Sequence, residues 1–387
     1  MCGISGFTRV VGDFNNDREI IENMVNVQRH RGPDASDVRI FDELALGHNR
    51  LAIIDLESGA QPMERVCGGH KYVITYNGEL YNTEELKNKL LILGHNFKTH
   101  SDTEVLLAAY IEWGAECLDY ISGIFAFAVW DDYEKRLFLA RDRFGVKPLF
   151  YSVVGEQLIF SSEIKGILQH PKVQPTIKKE GIAEIFGLSP SRTPGFGVFD
   201  GIYELKPAHY MVYSSGNIRK FRYWQFDSRP HEHNMSSTAE CLNHLIKDAV
   251  KRQMVSDVSI ATLLSGGLDS SAITGIAARN FLNQGGGQLP TYSFDYVDNN
   301  KYFRAGKFQP SNDAPWVKKM VEEFQTKHSV LLADSSDLIN NLGKAVIARD
   351  LPGMADIDSS LLHYCSLIRQ NHTVALSGEC ADEYAHA

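Results

Sequence analysis

The sequence predicts two domains of different fold class, an α+β domain followed by an α/β domain built on a parallel sheet. Three observations lead to this prediction. The 387 residues are enough for two or three domains, each with its own core. Short strand patterns and turns dominate up to about residue 226, whereas strand and helix patterns alternate from residue 237 onwards. Such alternation favours a parallel sheet covered by helices, with ligands beyond the carboxyl ends of its strands.

The first domain is predicted to hold two helices among short strands. Residues 17–29 carry apolar side chains at helical spacing, and Ser101 or Asp102 can cap a second helix. Between them, Arg29–Asp34 must form a loop, because it contains Gly and Pro side by side. Strands are predicted at 44–48, at 72–76 and in several pieces over 124–164, with a hairpin turn at 155–156.

The second domain is predicted to begin after a polar linker over 226–236. The predicted domains are therefore 2–225 and 237–387. A capping box from Ser237 to Glu240 indicates the start of an amphipathic helix. The further predicted elements are strands at 260–264, 291–296, 329–332 and 373–376, and helices at 270–282 and 313–324.

Composition excludes several classes of function. The net charge of −9 disfavours binding to nucleic acid or to an acidic membrane face. The longest apolar runs are too short to span a bilayer, and no secretory signal precedes them. The six cysteines lack C-x-x-C spacing, so a disulfide framework or zinc site is not expected and a cytoplasmic location fits best.

Cys2 is the first candidate for a reactive group. Removal of Met1 would place a thiol and a free α-amine on one residue, and the amine can act as the base that takes the thiol proton. The reference pKa values of about 8.5 and about 7.7–8.0 make that transfer cost on the order of 1 kcal/mol. Taken alone, a cysteine at this position also fits a simpler interpretation, a small residue that permits removal of Met1.

Two loops of the second domain indicate a phosphate site. The string Ser265–Ser271 lies between an apolar strand and a helix, where glycines and hydroxyls leave backbone N–H groups available to an anion. It resembles the pyrophosphate loop of ATP pyrophosphatases. The second loop, Ser377–Glu383, follows another predicted strand and carries three carboxylates, which suit Mg²⁺. Taken alone, the first string could be a turn that caps a helix, and the second could be an acidic surface loop.

Together these motifs, in this order, resemble the glutamine-hydrolysing asparagine synthetases over almost the whole chain. The resemblance implies an N-terminal-nucleophile sandwich with αββα layers, followed by a parallel-sheet ATP-pyrophosphatase domain. It implies that Cys2 forms a thioester with glutamine, and that the released ammonia attacks a β-aspartyl-AMP intermediate. The products would be asparagine, AMP, pyrophosphate and glutamate.

The resemblance also assigns site residues. In the glutamine pocket Arg50 would hold the substrate α-carboxylate, Asn77 and Gly78 would form the oxyanion hole, and Glu79 and Asp102 would meet the α-amine. Glu379 would take a proton from the attacking ammonia. The whole implied glutamine pocket is Arg50, Leu51, Ala52, Ile53, Ile54, Asn77, Gly78, Glu79 and Asp102. The implied ATP site is Leu264, Ser265, Gly266, Gly267, Leu268, Asp269, Ser270, Ser271, Ser377 and Gly378, with Mg²⁺ held by Asp269 and Asp382. No role is carried over for Arg29–Asp34.

Two departures from the family leave alternatives open. Family members continue beyond Ala387 with lysines that contact ATP, and Cys380 stands where glycine is common. One alternative is an amidotransferase that activates another carboxylate, and another is a shortened chain that only hydrolyses glutamine. The expected partners are small molecules, and binding to nucleic acid or to a membrane is not expected. The resemblance to the family also suggests a homodimer.

Overall fold

The structure is a computed structural model that describes residues 1–9, 16–307 and 311–381. The chain divides into two compact units. Unit 1 comprises residues 1–228 and 349–353, and unit 2 comprises residues 229–348 and 354–387. No helix of the described residues has the length and apolar character needed to cross a membrane.

Unit 1 consists mainly of antiparallel strands. In chain order its elements are β1 (Gly3–Thr8), α1 (Asp17–Asn26), β2 (Ala35–Ile40), β3 (Leu44–Arg50), β4 (Met63–Cys67), β5 (His70–Leu80), α2 (Thr83–Ile92), α3 (Asp102–Trp113), α4 (Cys117–Tyr120), β6 (Gly123–Asp131), β7 (Arg136–Arg141), β8 (Phe150–Val154), β9 (Gln157–Ser161), α5 (Ile164–Ile167), α6 (Lys179–Leu188), β10 (Ile202–Glu204), β11 (His209–Ser214) and β12 (Asn217–Arg222).

The strands form two six-stranded sheets. Their orders are β10-β8-β9-β1-β3-β2 and β12-β11-β7-β6-β5-β4, and every pairing of named strands is antiparallel. One apolar cluster lies between the sheets, a second joins the outer face of the first sheet to α1 and α5, and a third joins the second sheet to α2 and α3. This is the αββα layering that the resemblance implied, and the fold class is confirmed.

Strand β6 illustrates why these layers form. Its phenylalanines, Phe125 and Phe127, pack toward α2 and α3, whereas Ala126, Ala128 and Trp130 face the first sheet. Successive side chains of a strand point to opposite faces, so burial on both sides requires an almost continuous apolar sequence. The strand patterns predicted over 124–164 arise from this double burial.

Several predicted elements of unit 1 have different ends in the structure. The helix predicted at 17–29 ends at Asn26, three residues early. The strand predicted at 72–76 extends from His70 to Leu80, so Asn77 and Gly78 belong to a strand rather than a turn. The hairpin turn at 155–156 between β8 and β9 is confirmed.

Unit 2 contains a parallel sheet. Its elements are α7 (Met235–Gln253), β13 (Ile260–Leu263), α8 (Leu268–Asn283), β14 (Pro290–Tyr296), α9 (Asn299–Tyr302), α10 (Ala314–Phe324), β15 (Lys327–Ala333), α11 (Ser335–Arg349), α12 (Ala355–Ile368) and β16 (Val374–Leu376). The strand order is β15-β14-β13-β16 with parallel pairings throughout. The predicted parallel sheet is confirmed, while α11 and α12 were not foreseen.

The sequence analysis was wrong about the cap of α7. The helix begins at Met235, and the Asn234 side chain accepts a hydrogen bond from the backbone N–H of Ser237. A predicted N-cap at Ser237 would have started the helix three residues later. Asparagine is as good an N-cap as serine, so Asn234, which comes first in the chain, caps the helix.

The packing of α3 gives a stability prediction. Leu106 is fully buried in the cluster beneath the second sheet, so Leu106→Ala should lower the free energy of unfolding by about 2–5 kcal/mol. The midpoint of urea denaturation measures this loss if the slope of the unfolding free energy against urea concentration stays unchanged. Leu93→Ala removes the same atoms from a half-exposed site, and an equal loss in both variants would contradict the assigned layering.

Candidate active site

The candidate residues of unit 1 lie on three strands that line the gap between the sheets. Cys2 directly precedes β1, Arg50 ends β3, and Asn77 and Glu79 lie near the end of β5. Alternate residues earlier in these strands form the cluster between the sheets. Because side chains alternate with a period of two, the four candidates share the orientation of that cluster.

Pairing and one hydrogen bond place these strand ends together. In the first sheet Ile4 pairs with His48, so residue 2 continues beside residue 50. Across the gap, His48 Nδ1 and Thr75 Oγ1 are 3.1 Å apart, so Asn77 and Glu79 follow on the same side. The register of two sheets therefore brings together residues that are far apart in sequence.

The Cys2 thiol contacts the start of the loop after β3. The backbone N–H of Leu51 donates to Cys2 Sγ over 3.4 Å. Burial raises the pKa of the Cys2 thiol, while the Leu51 hydrogen bond, the N-terminal amine and Lys147 oppose this shift. The amine belongs to Met1 here, and burial lowers its pKa to about 5. Because this amine lies on Met1, the near match expected between the thiol and an amine on Cys2 itself stays a prediction.

The loop predicted at 29–34 supports the same site. Arg31 Nε donates to the Cys2 carbonyl oxygen over 2.9 Å, and its Nη1 lies 2.8 Å from Glu163 Oε1. The Asp34 carboxylate accepts from the N–H of Ala52 over 2.8 Å. The loop therefore fixes both the nucleophile's backbone and the segment that contacts its thiol, a role that the sequence analysis missed.

Asn77 and Gly78 form the wall of the gap opposite the first sheet. Asn77 is 1% exposed, yet neither Oδ1 nor Nδ2 has a hydrogen-bond partner among the described residues. A buried polar group without a partner is costly, so this amide is available to a ligand. At Gly78 a Cβ would lie 2.4 Å from the Ile124 carbonyl oxygen, and only glycine permits this approach of β5 to β6.

Arg50 is held by the loop that follows it. Its Nη1 donates to the Leu56 carbonyl oxygen over 3.0 Å and its Nη2 to that of Asp55 over 2.5 Å. The Asp55 carboxylate accepts from the N–H of His100 over 2.8 Å, immediately before α3. The predicted pocket residues Leu51, Ala52, Ile53 and Ile54 form the first, half-buried part of this loop.

Two carboxyl groups meet at the end of β5. Asp102 Oδ2 accepts from Tyr76 Oη over 3.0 Å and from the N–H of Leu80 over 3.2 Å. Burial, together with repulsion from Asp102, raises the pKa of Glu79 to about 8, and burial raises that of Asp102 to about 6. Asp102 and Lys147 shift the pKa of Glu79 in opposite directions, and a bound ammonium group would be a further cation beside the two acids.

The loop between β7 and β8 adds a cation that the sequence analysis missed. Lys147 is 6% exposed and interacts electrostatically with Glu79, Arg31, Cys2 and Asp142. The string Arg141-Asp142-Arg143-Phe144-Gly145-Val146-Lys147-Pro148 was a usable signal, because a short loop with charges, glycine and proline is more than a simple turn.

In unit 2 the first candidate loop lies where the order of the strands reverses. β13 is flanked by β14 and β16, and its carboxyl end leads into Leu264 and the turn before α8. Leu264 is buried and Leu268 is exposed, so only the first belongs to the core. Ser265 Oγ lies 2.9 Å from Ser270 Oγ, while the buried Ser271 Oγ lacks a partner among the described residues. Ligands of open parallel sheets bind at such reversals.

Gly266, Gly267 and Asp269 complete this turn. Gly266 has φ of +83°, which favours glycine, and a Cβ there would lie 2.8 Å from that of Trp316. Gly267 is the N-cap of α8 and Asp269 lies in its first turn. The first N–H groups of a helix lack intrahelical partners and attract anions.

The second loop reaches the same helix end. A Cβ on Gly378 would lie 2.9 Å from the Ser270 backbone nitrogen, so a glycine is needed for this contact. Ser377 Oγ accepts from the N–H of Glu379 over 3.2 Å, and both residues are exposed. Cys380 has φ of +66°, which explains physically why glycine would be common there.

Metal binding depends in part on residues outside the described chain. Asp382, the second predicted Mg²⁺ ligand, lies outside the described residues, as does Glu383. Among residues 1–9, 16–307 and 311–381, no three His, Cys, Asp or Glu side chains could hold a metal ion together. Asp269 is half-buried in the first turn of α8 and suits Mg²⁺, which needs only one or two carboxylates when phosphates supply other ligands.

Comparisons with known proteins cover both units. The glutamine amidotransferase domain family matches residues 1–224, and the asparagine synthase family matches residues 242–386. Asparagine synthetase (glutamine-hydrolyzing) 3 of Bacillus subtilis is 49% identical over 383 residues, which are 99% of this chain and 62% of the relative. The chain thus spans less than two thirds of that relative's length.

Two further relatives extend the comparison. Putative asparagine synthetase (glutamine-hydrolyzing) 2 of Methanocaldococcus jannaschii is 32% identical over 405 residues, covering 99% of this chain and 75% of the relative. Amidase chry2 of Gibberella zeae is 32% identical over 314 residues, covering 74% of this chain and 44% of the relative.

The acid pair gives a pH-dependent prediction. Because the folded-state pKa of Glu79 is raised to about 8, the folded state keeps a proton that the unfolded state releases above about pH 4.3. This residue therefore lowers the free energy of unfolding increasingly as pH rises to about 8. Glu79→Gln should therefore stabilise unit 1 by at least ~1 kcal/mol at pH 8 and by much less at pH 5. Urea midpoints across this pH range measure the difference. The exposed Glu116→Gln is the control, and a pH-independent gain at residue 79 would contradict the assigned cause.

Proposed function

Because the chain belongs to the family of glutamine-hydrolysing asparagine synthetases, we propose that it catalyses ATP-dependent synthesis of asparagine from aspartate. Ammonia for this reaction comes from hydrolysis of glutamine in unit 1. The products are asparagine, AMP, pyrophosphate and glutamate. The observation that supports the glutaminase step most directly is the buried Asn77 amide, which has no hydrogen-bond partner among the described residues and lies at the same end of the inter-sheet gap as Cys2.

Different residues bind the two charged groups of glutamine. Arg50 binds the substrate α-carboxylate, and Glu79 with Asp102 binds the α-ammonium group. Since burial and Asp102 hold the pKa of Glu79 near 8, a cationic ligand favours its ionised form. The segment 51–54 forms the side of the pocket next to the nucleophile.

Glutamine hydrolysis proceeds through a covalent intermediate. Cys2 Sγ attacks the side-chain carbonyl carbon of glutamine, and its proton passes to the neighbouring amine. The tetrahedral oxyanion accepts hydrogen bonds from Asn77 Nδ2 and the N–H of Gly78. The amine then returns the proton to the nitrogen, and the carbon–nitrogen bond breaks. This step releases ammonia and leaves a thioester on Cys2. Water then cleaves the thioester to give glutamate and the free thiol.

Removal of Met1 is part of this proposal. An amine on Cys2 itself would share the buried environment that lowers the pKa of the Met1 amine to about 5. A low pKa keeps the amine neutral at pH 7, which is the form that accepts a proton. The Leu51 N–H at 3.4 Å stabilises the resulting thiolate.

The synthetase step is assigned to the loops of unit 2. Backbone N–H groups of residues 265–271 bind the phosphates of ATP at the start of α8, with Leu264, Ser377 and Gly378 beside them. When bound, Mg²⁺ would neutralise pyrophosphate charge, held by Asp269 and by Asp382. Glu379, exposed on the second loop, accepts the proton that ammonia loses as it attacks the adenylated carboxylate.

A second candidate differs in the acceptor. The relative from Gibberella zeae that shares 74% of this chain is named an amidase, so the two-unit architecture is not confined to proteins named asparagine synthetase. An amidotransferase for another carboxylate would keep every residue of the glutamine site. Replacing aspartate by other acids in the complete assay distinguishes the two candidates. Glutamine hydrolysis without AMP release would contradict both and indicate a glutaminase alone.

Location and assembly follow the same proposal. All six cysteines are free thiols, which suits a cytoplasmic enzyme. The family suggests a homodimer, which sedimentation velocity tests. The net charge of −9 disfavours binding to nucleic acid.

The oxyanion hole gives a kinetic prediction. Asn77→Ala should lower kcat for glutamine hydrolysis by about 10²–10³-fold with little change in KM, because the lost donor acts in the transition state. Steady-state release of glutamate measures both constants. The exposed Asn217→Ala is the matched control, and a kcat within about threefold of wild type would remove Asn77 from the site.

The nucleophile gives a prediction that separates the two half-reactions. Cys2→Ala should abolish glutamine-dependent synthesis but leave asparagine, AMP and pyrophosphate formation from ammonia, aspartate and ATP unchanged. Product analysis with each nitrogen donor measures this. Cys67→Ala, which alters an exposed thiol, should affect neither. Survival of glutamine hydrolysis in the Cys2 variant would refute the role of Cys2.

A further inference from the structure

Lys147 is a buried cation that the proposed reaction does not yet use. Its residue is 6% exposed. Within the described part of the chain, no hydrogen bond or ion pair is formed by its ammonium group. An unpaired buried charge is costly, so a nearby group of opposite charge or a ligand is expected to compensate it.

The surrounding loop is built to hold Lys147 in place. The Asp142 carboxylate accepts backbone N–H groups from Phe125, Phe144, Val146 and Lys147 at 2.9–3.2 Å. Arg141 Nε donates to the Lys147 carbonyl oxygen over 2.7 Å. Charge-assisted hydrogen bonds of this kind are among the stronger ones in proteins. Two buried side chains thus fix the peptide groups on both sides of the Lys147 Cα.

Further anchors connect this loop to the remainder of unit 1. Arg141 Nη1 donates to the Leu205 carbonyl oxygen and Nη2 to that of Gly145, both over 2.7 Å. Arg141 also pairs with Glu204 at 3.0 Å. Phe125, which donates to Asp142, pairs with Gly78 on β5, so this anchored loop lies beside the strand that carries Asn77 and Glu79.

The charges that face Lys147 come from several elements. Glu79 lies on β5, Arg31 on the loop before β2, Cys2 before β1, and Asp142 in the same loop as Lys147. The N-terminal amine also interacts with it. Glu79 disfavours a thiolate at Cys2, whereas Lys147 and the amine favour one. Asp102 acts on this group through its repulsion of Glu79.

We propose that Lys147 is a positioning residue of the glutamine site, whose ammonium balances the Glu79 carboxylate and favours the Cys2 thiolate. The role assigned to Lys147 rests on the glutamine hydrolysis proposed above. Burial lowers the pKa of Lys147, while Glu79 and Cys2 oppose this shift. Lys147 forms no bond during the reaction, and the thiol proton still passes to the amine. Without this cation, Glu79 and a thiolate would be two negative charges in one buried site, and each would suppress the ionisation of the other.

The test follows the ionisation of Cys2 directly, without relying on turnover. The full chain is alkylated with iodoacetamide between pH 6 and 10, and modification of the Cys2 peptide is followed by mass spectrometry. Lys147→Met should slow Cys2 alkylation at pH 7.5 by about threefold or more, which corresponds to a rise of about half a pKa unit or more. At high pH the rate should reach the wild-type plateau, and Lys147→Arg should restore the wild-type profile.

Internal and external controls separate charge from structure. Alkylation of the exposed Cys67 in the same samples should not change. Lys179→Met removes an equal charge from a side chain that is 91% exposed and should leave the Cys2 profile unchanged. A Lys147→Met profile identical to wild type would overturn the inference, as would equal slowing at every pH in both the Met and Arg variants.

Glutamine hydrolysis by the same proteins distinguishes failure of this inference from failure of the proposed function. If wild type does not hydrolyse glutamine but the alkylation profile shifts as expected, the proposed function fails and the charge relation stands. If wild type hydrolyses glutamine and Lys147→Met leaves the alkylation profile unchanged, the proposed function stands and the role of Lys147 fails.

Discussion

The active end of unit 1 depends on one constraint, the stacking of two sheets that are each buried on both faces. Within such a stack the strands cannot slip by a single residue, because a slip would move every apolar side chain to the other face. The hydrogen bond between His48 and Thr75 across the gap fixes how the two sheets are aligned. Cys2, Arg50, Asn77 and Glu79 then share one end of the gap as a geometric consequence.

Electrostatics at this end combine one ion pair with several buried groups that have shifted pKa values. Arg31 pairs with Glu163, Glu79 and Asp102 are acids with raised pKa values, and Lys147 is a buried cation nearby. A site of this kind is unfavourable when empty, and a substrate that carries both an ammonium and a carboxylate group can satisfy it. Perturbed titrating groups in a confined site are typical of functional centres.

Unit 2 follows a different principle, in which backbone rather than side chains forms the site. The reversal of strand order beside β13 leaves an opening between the two loops, and Gly378 allows the second loop to reach the first turn of α8. Cys380 adopts a left-handed conformation there. A non-glycine residue accepts that conformation at some cost.

The sequence by itself determined the strand-rich first domain and the parallel sheet of the second, because strand periodicity and turn residues are local properties. The roles of Cys2, Arg50, Asn77 and Ser265–Ser271 rest on the resemblance to a known family and stay predictions. The sequence did not reveal the strand conformation of Asn77, the contact of Arg31 with the Cys2 carbonyl or the approach of Lys147. Those depend on pairings between segments that lie up to about 150 residues apart. Only tertiary structure decided which charges became buried together, since the pKa of each group depends on neighbours that the local sequence does not specify.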